Sequence, residues 1–505
     1  MKSLFQHAKS RYRFHASWLV VLFGPLLLTG CAVGPKYQRP AMAEVPSQYL
    51  ESGNLKVAQP SDQMIRGKWW EVFQDSQLNA LEGQIEVNNQ TLKQAQAQFA
   101  QARAIVRYNR ADFYPTVTGG FTPTRNRISA NRAVKTLSGQ TYNDVLLGLD
   151  VSYEPDVWGR VRRTVEASRE NAQASAADLE TVRLSLQAEL AMDYFQMRSL
   201  DGEEQLLQST VQTYQEALQL TLNRFHGGVA SEVDVDQAQT QLETTRAQAI
   251  DVQVQRAQFQ HAIAVLAGKP ASSFQLAFSP LQAPPPVIPP GLPSLLLERR
   301  PDVAGAERRA AAANANIGIA RAAYFPLISL SASGGVESAA MSTLFNGPSG
   351  FWNIGASVVQ TVFDAGRRRA ASDQAYAAYD QSAAAYRQTV LTAFQEVEDN
   401  LAAQRILEDE GKTQEGAVAA AQKLLNQSMT RYTGGVTTYL EVLTSQSTAL
   451  SDERVAVQIL GRRMTAAVLL IKALGGGWDA SQLPTFTEVS RRQAPGRTST
   501  QSAAK

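Results

Sequence analysis

The residue with the clearest covalent chemistry is Cys31, the only cysteine in a chain of 505 residues. It follows a basic leader, an apolar run over residues 18–28, and the two small residues Thr29 and Gly30. A basic region, a short apolar run and small residues form the pattern of a secretory signal. The run is shorter than a membrane-spanning helix, which needs about 20 residues. The sequence therefore predicts that residues 1–30 are removed.

The segment Leu28-Thr29-Gly30-Cys31 resembles the lipobox of bacterial lipoproteins, in which the signal is cut before the cysteine and the thiol is acylated. The next residue is Ala32 rather than aspartate, and in that class this implies sorting to the outer membrane. We therefore predict that Cys31 carries lipid. The alternative is an ordinary signal peptide followed by a chance cysteine.

The charge balance argues against a nucleic-acid partner. Four of the 48 Lys and Arg residues, and none of the 46 Asp and Glu residues, lie in residues 1–30, so the mature chain has 44 basic and 46 acidic residues, a net charge of −2. Nucleic-acid binding requires a basic surface. His226 and His261 are the histidines that remain. With Cys31 assigned to lipid, a zinc site, a disulfide framework or a cofactor is not expected.

Motifs of enzymes are missing or weak. The zinc-protease motif HExxH and the nucleophile motif GxSxG do not occur in the sequence. EGKT at residues 410–413 lies inside a helical pattern and lacks the first glycine of a phosphate-binding loop. GGGWDA at residues 475–480 is typical of a helix stop. We predict that the chain is not an enzyme; a small-molecule enzyme and a purely structural lipoprotein are the rival classes.

The chain contains an internal repeat with an offset of 207 residues at its clearest point. RFHGGVASEVDVDQAQ begins at Arg224 and RYTGGVTTYLEVLTSQ begins at Arg431, and they share the arginine, an aromatic residue, Gly-Gly-Val and a glutamine. Residues 111–120 and 321–335 form a second pair. Two copies of one unit must contain the same structural elements.

Each copy has the same order of predicted elements. A helix ends at an aromatic–proline pair, two strands follow, and a very long helix leads to a Gly-Gly turn and a shorter returning helix. The strands are predicted from alternating apolar and polar residues, as in Val145–Tyr153 and Ile328–Gly334. The predicted helices cover residues 75–112, 160–225 and a segment up to 268 in the first copy, and 299–323, 367–432 and a segment up to 475 in the second.

These lengths exclude a compact single-chain fold. About 66 helical residues span about 100 Å, so the long helices must pack along one another as a coiled coil. Four strands per chain are too few to close a barrel, and an open sheet with an apolar face would leave aggregating edges. Several chains must therefore contribute, and three would supply twelve strands, with Ser329, Ser331 and Ser333 facing the lumen. A soluble hairpin packed on helices is the alternative.

Several segments together resemble the outer membrane factor family, the TolC-like exit ducts, and most closely their lipidated branch, which serves efflux pumps. These segments are CAVGPKYQRP from Cys31, WWEVFQD at 69–75, LERRPDVAGAE at 297–307 and the paired Arg-aromatic-x-Gly-Gly-Val turns. The resemblance covers roughly residues 31–484.

The resemblance implies a fold that is mainly α with a transmembrane β part. Three identical chains would form a twelve-stranded β-barrel, with four strands per chain, that continues into a long periplasmic α-helical barrel. The homotrimer would passively conduct small molecules or drugs from a proton-driven inner-membrane transporter, through a periplasmic adaptor protein, across the outer membrane lipid of a Gram-negative bacterium. The alternative is the duct of a type I protein or peptide secretion system, which the lipobox disfavours.

The resemblance also assigns the two Gly-Gly turns to the periplasmic tip, where the duct narrows and the adaptor docks. The residues concerned are Gly227, Gly228 and Val229 in the first copy, and Gly434, Gly435 and Val436 in the second.

By position, Asp234 and Tyr432 match polar residues that hold neighbouring helices closed across the tip, so they are predicted gate residues. Glu441 matches one of two acidic residues just inside the second turn. Three Glu441 carboxylates around a threefold axis would form a cation-selective ring. Thr437 stands where well-studied members have an arginine, so their arginine–carboxylate latch is not implied. The alternative for Glu441 is a solvated carboxylate favoured by the helix dipole.

The predicted domain organisation follows from these elements. It consists of a signal peptide (1–30), a lipid anchor with an extended segment (31–74), the first repeat (75–268), a Pro-rich linker (269–297), the second repeat (298–484) and a disordered tail (485–505).

Overall fold

A computed structural model describes residues 32–41, 46, 48–52, 67–131, 133, 139–288 and 298–492. The predicted signal peptide, Cys31, the end of the Pro-rich linker (289–297) and the tail from residue 493 lie outside the described residues.

Long helices dominate the structure and pack side by side. The described α-helices are α1 (Ser76–Asn88), α2 (Gln90–Ala111), α3 (Arg160–His226), α4 (Glu232–Leu266), α5 (Pro301–Ala322), α6 (Arg367–Thr433), α7 (Tyr439–Ala473) and α8 (Phe486–Ser490). At 67 residues each, α3 and α6 are about 100 Å long. The α3 helix packs on α2, α4, α5 and α7, and α6 packs on α5 and α7. Among the described residues, no helix combines the length and the apolar character needed to cross a membrane.

The two repeats match element by element. The helices α2 and α5 have 22 residues each, α3 and α6 have 67, and α4 and α7 have 35. The numbering advances by 211 residues from α2 to α5, and by 207 residues from α3 to α6 and from α4 to α7. Each Gly-Gly turn therefore occupies the same place in its repeat.

The four strands form one antiparallel sheet. They are β1 (Thr116–Arg127), β2 (Thr141–Tyr153), β3 (Leu327–Ser338) and β4 (Gly350–Val359), in the order β1-β2-β3-β4. Each repeat supplies one hairpin, and the pairing of β2 with β3 joins the two repeats. The strands β1 and β4 are the two edges of the sheet.

The register of the sheet separates its side chains by polarity. Ser331 lies opposite Ser152 and Gly355, whereas its neighbour Ala332 lies opposite Val151 and Ile354. The apolar face carries exposed large side chains, namely Val117, Phe121, Leu147, Leu149, Leu330, Trp352, Ile354 and Val358. Because this face is exposed in the single chain, the sheet is not a hairpin packed on the helices.

The first predicted helix is interrupted, which corrects the continuous segment expected over residues 75–112. Asn89 has an extended backbone, ends α1 and begins α2. Its side chain accepts a hydrogen bond from the Leu92 amide and donates one to the Leu266 carbonyl at the end of α4, both at 2.9 Å. Asn89 thereby caps the start of α2 and also supplies a hydrogen bond to a free carbonyl group at the end of α4.

The start of the predicted disordered tail is ordered, and this expectation is wrong for residues 485–492. Thr485 and Glu488 form a capping box at the start of α8, and Val489 is fully buried. Arg103 of α2 donates to the carbonyl oxygens of Glu488 and Arg491 at 3.1 and 3.0 Å. A helix this short has no detectable periodicity, so its order depends on these tertiary contacts.

The linker after α4 is fastened by a buried charge network. Asp201 of α3 is fully buried and accepts hydrogen bonds from Arg198 at 2.8 Å, from Arg256 and from the Ser279 amide at 2.9 Å. Arg198 also donates to the Ala277 carbonyl at 2.6 Å. Over residues 269–288 the linker is an irregular segment apart from one short 3-10 turn, and this network holds it against the middle of α3.

Glu82 of α1 is fully buried, and neither of its carboxylate oxygens has a hydrogen-bond partner among the described residues. Burial, with the neighbouring Glu86 as a lesser cause, raises the pKa of Glu82 well above 4.5. The fold therefore favours the protonated form. Because the unfolded chain loses this proton more readily, Glu82 destabilises the fold progressively as the pH rises above 4.5.

We expect Glu82→Gln to raise the free energy of unfolding by about 1–3 kcal/mol at pH 8, because a neutral amide avoids burying a charge. The gain should disappear as the pH falls below 4.5. Thermal unfolding in detergent at several pH values measures it. Glu86→Gln is the matched control, since Glu86 is a half-exposed residue paired with Arg183 and its loss is worth about 0–1 kcal/mol. Equal effects of both variants at pH 8 would show that Glu82 is not a buried charge.

Candidate functional site

The two Gly-Gly turns have the same backbone geometry. After α3, the Val229 amide donates to the Arg224 carbonyl at 2.8 Å, and Gly228 has φ +74°. After α6, the amide of Val436 donates to the carbonyl of the equivalent arginine at 2.9 Å, and Gly435 has φ +75°. A Cβ atom on either glycine would meet no atom within 4 Å. Glycine is therefore required because the backbone at this helix end is left-handed, and not because a side chain would clash with its neighbours.

Both turns expose apolar side chains. Val229 is 67% exposed and Val436 is 71% exposed, and Val233 and Leu440 in the following helix turns are exposed to a similar degree. Each repeat thus exposes two branched apolar side chains at the end of its long helix. We name these four residues the tip patch, and its role in docking an adaptor stays a prediction.

The predicted gate residue Asp234 lies in the first turn of α4. It accepts hydrogen bonds from the Ser231 amide at 2.9 Å and from the Ser231 hydroxyl at 3.0 Å, and its own amide donates to that hydroxyl. This is a capping box, which satisfies free amides at the helix start. Asp234 therefore orders the turn within its own chain, whatever contacts it makes to a neighbouring helix.

The second predicted gate residue, Tyr432, is buried at the end of α6. Its ring meets the ring of Tyr439 edge-on with centroids 5.4 Å apart, and the Arg224 guanidinium lies 4.7 Å from its centroid. Arg224 also donates to the Thr433 carbonyl at 2.9 Å. These contacts join the tip of the first repeat to the tip of the second. The Tyr432 hydroxyl makes no hydrogen bond within the described residues.

Tyr439 lies close enough to Tyr432 and Asp234 for these two residues to affect its pKa. The pKa of Tyr439 is raised to about 12, mainly by burial, and Tyr432 and Asp234 are among the neighbours that contribute to this rise. The structure thus brings Asp234, Tyr432 and Tyr439 into one neighbourhood at the tip.

Glu441, the third predicted gate residue, is already paired within the chain. It accepts hydrogen bonds from Ser428 at 3.4 Å and from Thr437, and its carboxylate lies 3.3 Å from the Arg431 guanidinium. Arg431 therefore offsets part of its charge. Glu441 thus has partners within its own chain, and its place in a cation-selective ring stays a prediction.

Sequence reasoning missed Arg224, Arg431 and Tyr439 as parts of this site. Arg224 and Arg431 are the first residues of the repeated Arg-aromatic-x-Gly-Gly-Val motif, so the repeat itself was the signal. Arg224 lies over a tyrosine ring, whereas Arg431 pairs with a carboxylate. The motif alone does not predict this difference, because it depends on how the two repeats pack.

The residues directly after Cys31 lie at the helix side of the sheet. The Val33 amide donates to the Trp158 carbonyl at 3.1 Å. A Cβ atom on Gly159 would lie 2.8 Å from the Cα atom of Ala32, and Arg163 donates to the Pro35 carbonyl at 3.2 Å. Trp158 and Gly159 connect β2 to α3. The segment that follows Cys31 is therefore fixed at the level where the strands meet the long helices.

In the part of the chain that the structure describes, no three His, Cys, Asp or Glu side chains converge to form a metal-binding cluster.

Comparison with known proteins identifies the class. The family "Outer membrane efflux protein" matches residues 81–269 and again residues 292–476, once for each repeat. The chain belongs to this family, whose members are transport channels. The predicted resemblance to outer membrane factors is confirmed.

Individual relatives agree over nearly the whole chain. The Cation efflux system protein CusC of Escherichia coli strain K12 is 33% identical over 456 residues, covering 90% of this chain and 97% of that protein. The Toluene efflux pump outer membrane protein TtgC of Pseudomonas putida is 34% identical over 459 residues, covering 90% and 94%. The solved outer-membrane channel OprN is 30% identical, with a TM-score of 0.83, over 89% of this chain and 100% of that chain.

The protein is thus an outer membrane channel of an efflux system, which extends into the periplasm of a Gram-negative bacterium. The predicted fold class, function and localisation are confirmed at this level.

Proposed function

We propose that three copies of this chain form the exit duct of a tripartite efflux system. The duct passively conducts small molecules from a proton-driven inner-membrane transporter and a periplasmic adaptor protein to the exterior, and it performs no catalysis. Its walls are a twelve-stranded barrel in the outer membrane lipid and a barrel of long helices in the periplasm.

The observation that carries this proposal is the open, two-faced sheet. Four strands leave two free edges, β1 and β4, and cannot close on themselves. Twelve strands can close, and an even number suits an antiparallel transmembrane barrel. The exposed apolar face suits contact with lipid, and the opposite face, with Ser331, Ser333 and Asp150, suits a watery lumen.

The other features fit the same assembly. The tip patch and the glycine turns offer an apolar docking surface for the adaptor at the periplasmic end, about 100 Å from the sheet. At the other end, Ala32 is fixed beside Gly159. A lipid on Cys31 would therefore reach the inner leaflet next to the barrel.

The transported class is small molecules. The relatives are named for efflux of cations and of toluene, so membership of the family does not select one compound. A type I secretion duct is the second candidate, but these named relatives belong to efflux systems. The predicted gate residues supply a direct test of the duct.

Each gate contact can be removed with little change inside the chain. Tyr432→Phe keeps the ring that packs on Tyr439 and loses a hydroxyl that has no hydrogen-bond partner among the described residues. Asp234→Asn keeps an oxygen for the cap but loses the charge. A polar contact near a protein surface is worth about 0–1 kcal/mol, and a threefold assembly repeats each contact three times. We expect the double variant to conduct roughly tenfold more than wild type in a planar bilayer.

The matched control is Glu232→Gln, which removes another exposed carboxylate from the first turn of α4 and should leave conductance unchanged. Glu441→Gln should reduce cation selectivity, by less than a bare carboxylate would because Arg431 already pairs with it. Unchanged conductance and selectivity in correctly assembled trimers would place the gate elsewhere. A protein that inserts but never conducts would contradict the duct itself.

A further inference from the structure

The joint between the two helical hairpins of the chain changes character partway along its length. The hairpins are α3–α4 and α6–α7, and they meet mainly where α3 packs on α7. In its upper part, away from the tip, α7 contributes Met464, Ala467 and Val468 to the main hydrophobic core. Closer to the tip, over residues 451–458, the structure describes every residue of α7 and none of them is buried. The joint is therefore packed above this segment and polar within it.

The packed part of the joint ends at a glycine. A Cβ atom on Gly461 of α7 would lie 2.6 Å from the hydroxyl oxygen and 2.8 Å from the Cβ atom of Ser199 in α3. Rotation of the serine hydroxyl would not relieve the second contact, because the backbone fixes the position of Cβ. One turn closer to the tip, a Cβ atom on Gly202 would have only an ordinary contact with Val457, at 3.4 Å. The two helices therefore approach so closely at Ser199 and Gly461 that any side chain at position 461 would push them apart.

An ion pair crosses the joint just below this close approach. Arg454 of α7 donates two hydrogen bonds to one carboxylate oxygen of Glu203 in α3, the first of them at 2.8 Å from Nε. Arg454 also reaches the Gln248 side chain of α4 at 3.4 Å. Gln458 of α7 donates to the other oxygen of Glu203 at 3.4 Å. Glu203 is buried, so one arginine of the second hairpin holds both helices of the first.

These contacts belong to the joint and do not follow from the repeat. A step of 207 residues relates the helices of the two hairpins. By this step, the equivalents of Ser199, Glu203, Arg454 and Gly461 are Ile406, Glu410, Ala247 and Val254. Only the glutamate is the same residue, and in the second repeat it pairs with Arg462. The arginine and the glycine therefore serve the contact between hairpins and not the hairpin itself.

We propose that Ser199 and Gly461 form a fulcrum on which the two hairpins tilt when the duct opens, and that the Arg454–Glu203 pair is a latch that resists this tilt. This inference rests on the proposed duct and adds a second control point to the gate at its tip. Above the fulcrum, the packed core holds the hairpins together. Below it, the joint has a polar segment that can separate without opening a large apolar cavity.

The distance between latch and tip makes a small tilt effective. His226, the last residue of α3, is 23 positions after Glu203, so the latch lies about 35 Å above the tip. A tilt of about 5° on a lever of this length moves the tip by about 3 Å. Helix shifts of a few ångströms are typical of protein switches. Because Glu203 is buried, its separation from Arg454 is unfavourable, and the latch thus stabilises the alignment of the hairpins.

Charge removal at the latch tests its role. Arg454→Gln leaves the contacts at the tip unchanged, and we expect its trimers to have a mean conductance about tenfold higher than wild type in a planar bilayer. Arg454→Lys keeps the charge opposite Glu203 and should stay close to wild type. Arg462→Gln is the matched control, because it removes an exposed ion pair from the same helix and should leave the conductance unchanged. A purely structural role would lower the thermal stability of the Arg454→Gln trimer without a change in conductance.

An added methyl group tests the fulcrum. Gly461→Ala should force the hairpins apart and raise the mean conductance, whereas Gly461→Ala with Ser199→Gly removes both clashing atoms and should restore the wild-type value. Gly202→Ala is the matched control, since it adds the same methyl group to the same joint at ordinary contact distance. If Gly461→Ala does not assemble, Arg454→Gln alone decides the proposal.

Wild-type conductance in assembled trimers of Arg454→Gln and Gly461→Ala would overturn the latch and the fulcrum. It would leave the duct intact if the tip variant, Tyr432→Phe with Asp234→Asn, still conducts more than wild type. An equal rise in Arg454→Lys or in Arg462→Gln would also overturn the latch, because the effect would then not depend on the charge opposite Glu203. Trimers that insert but never conduct, with the tip variant included, would instead overturn the proposed duct.

Discussion

Cys31→Ser should abolish the incorporation of a labelled fatty acid into this protein. Cys31 supplies the only thiol in the sequence and follows a signal-like segment, so the loss should be complete and not partial. Metabolic labelling followed by gel fluorography of the purified protein measures it. Ala32→Ser, a change of the adjacent residue, is the matched control and should keep the label.

The lipid should matter more for sorting than for the folded duct. A single acyl chain gives only marginal membrane binding, whereas the exposed apolar face of the sheet supplies the main contact with lipid. We therefore expect Cys31→Ser to lower the fraction found in the outer membrane, while the trimers that do form keep wild-type thermal stability. Equal labelling of wild type and Cys31→Ser would remove the lipoprotein assignment.

Cells that keep the cognate pump and adaptor but lose this chain should accumulate the transported compound several-fold. In the proposed assembly the pump and adaptor deliver the compound to the periplasmic tip, and without a duct it has no protein path through the outer membrane. The effect should be large because the proposed duct is the route by which the compound crosses the outer membrane. A chain carrying Phe121→Asp, which places a charge on the lipid-facing side of β1, should fail to restore export, whereas Thr122→Ser on the opposite face should restore it.

The long elements could be predicted from the sequence because strong local signals mark their ends. The predicted helix over residues 160–225 ends one residue short of the observed α3, since Gly227-Gly228 stops the helix by backbone conformation alone. The first strand of the second repeat was predicted from alternating serine and aliphatic residues. In the sheet, these two sets of side chains lie on opposite faces. Because the two repeats contain the same elements, the elements predicted in the first repeat could be carried over to the second.

What sequence reasoning missed depends on contacts between distant residues. The break at Asn89 needs the carbonyl of Leu266, and α8 needs Arg103 and the pocket around Val489. The candidate site shows the same limit. Its position followed from the Gly-Gly turns, but the contact of Arg224 with Tyr432 spans two repeats and has no local signature.

This chain is the outer membrane channel of an efflux system, and we propose that substrate leaves the cell through it. The most direct measurement is the rate at which preloaded cells release a fluorescent pump substrate, with the cognate pump and adaptor present and this chain present, absent or restored. We expect rapid release that falls several-fold without the chain and returns with it. Equal release rates with and without the chain, at equal levels of pump and adaptor, would show that the chain is not the duct.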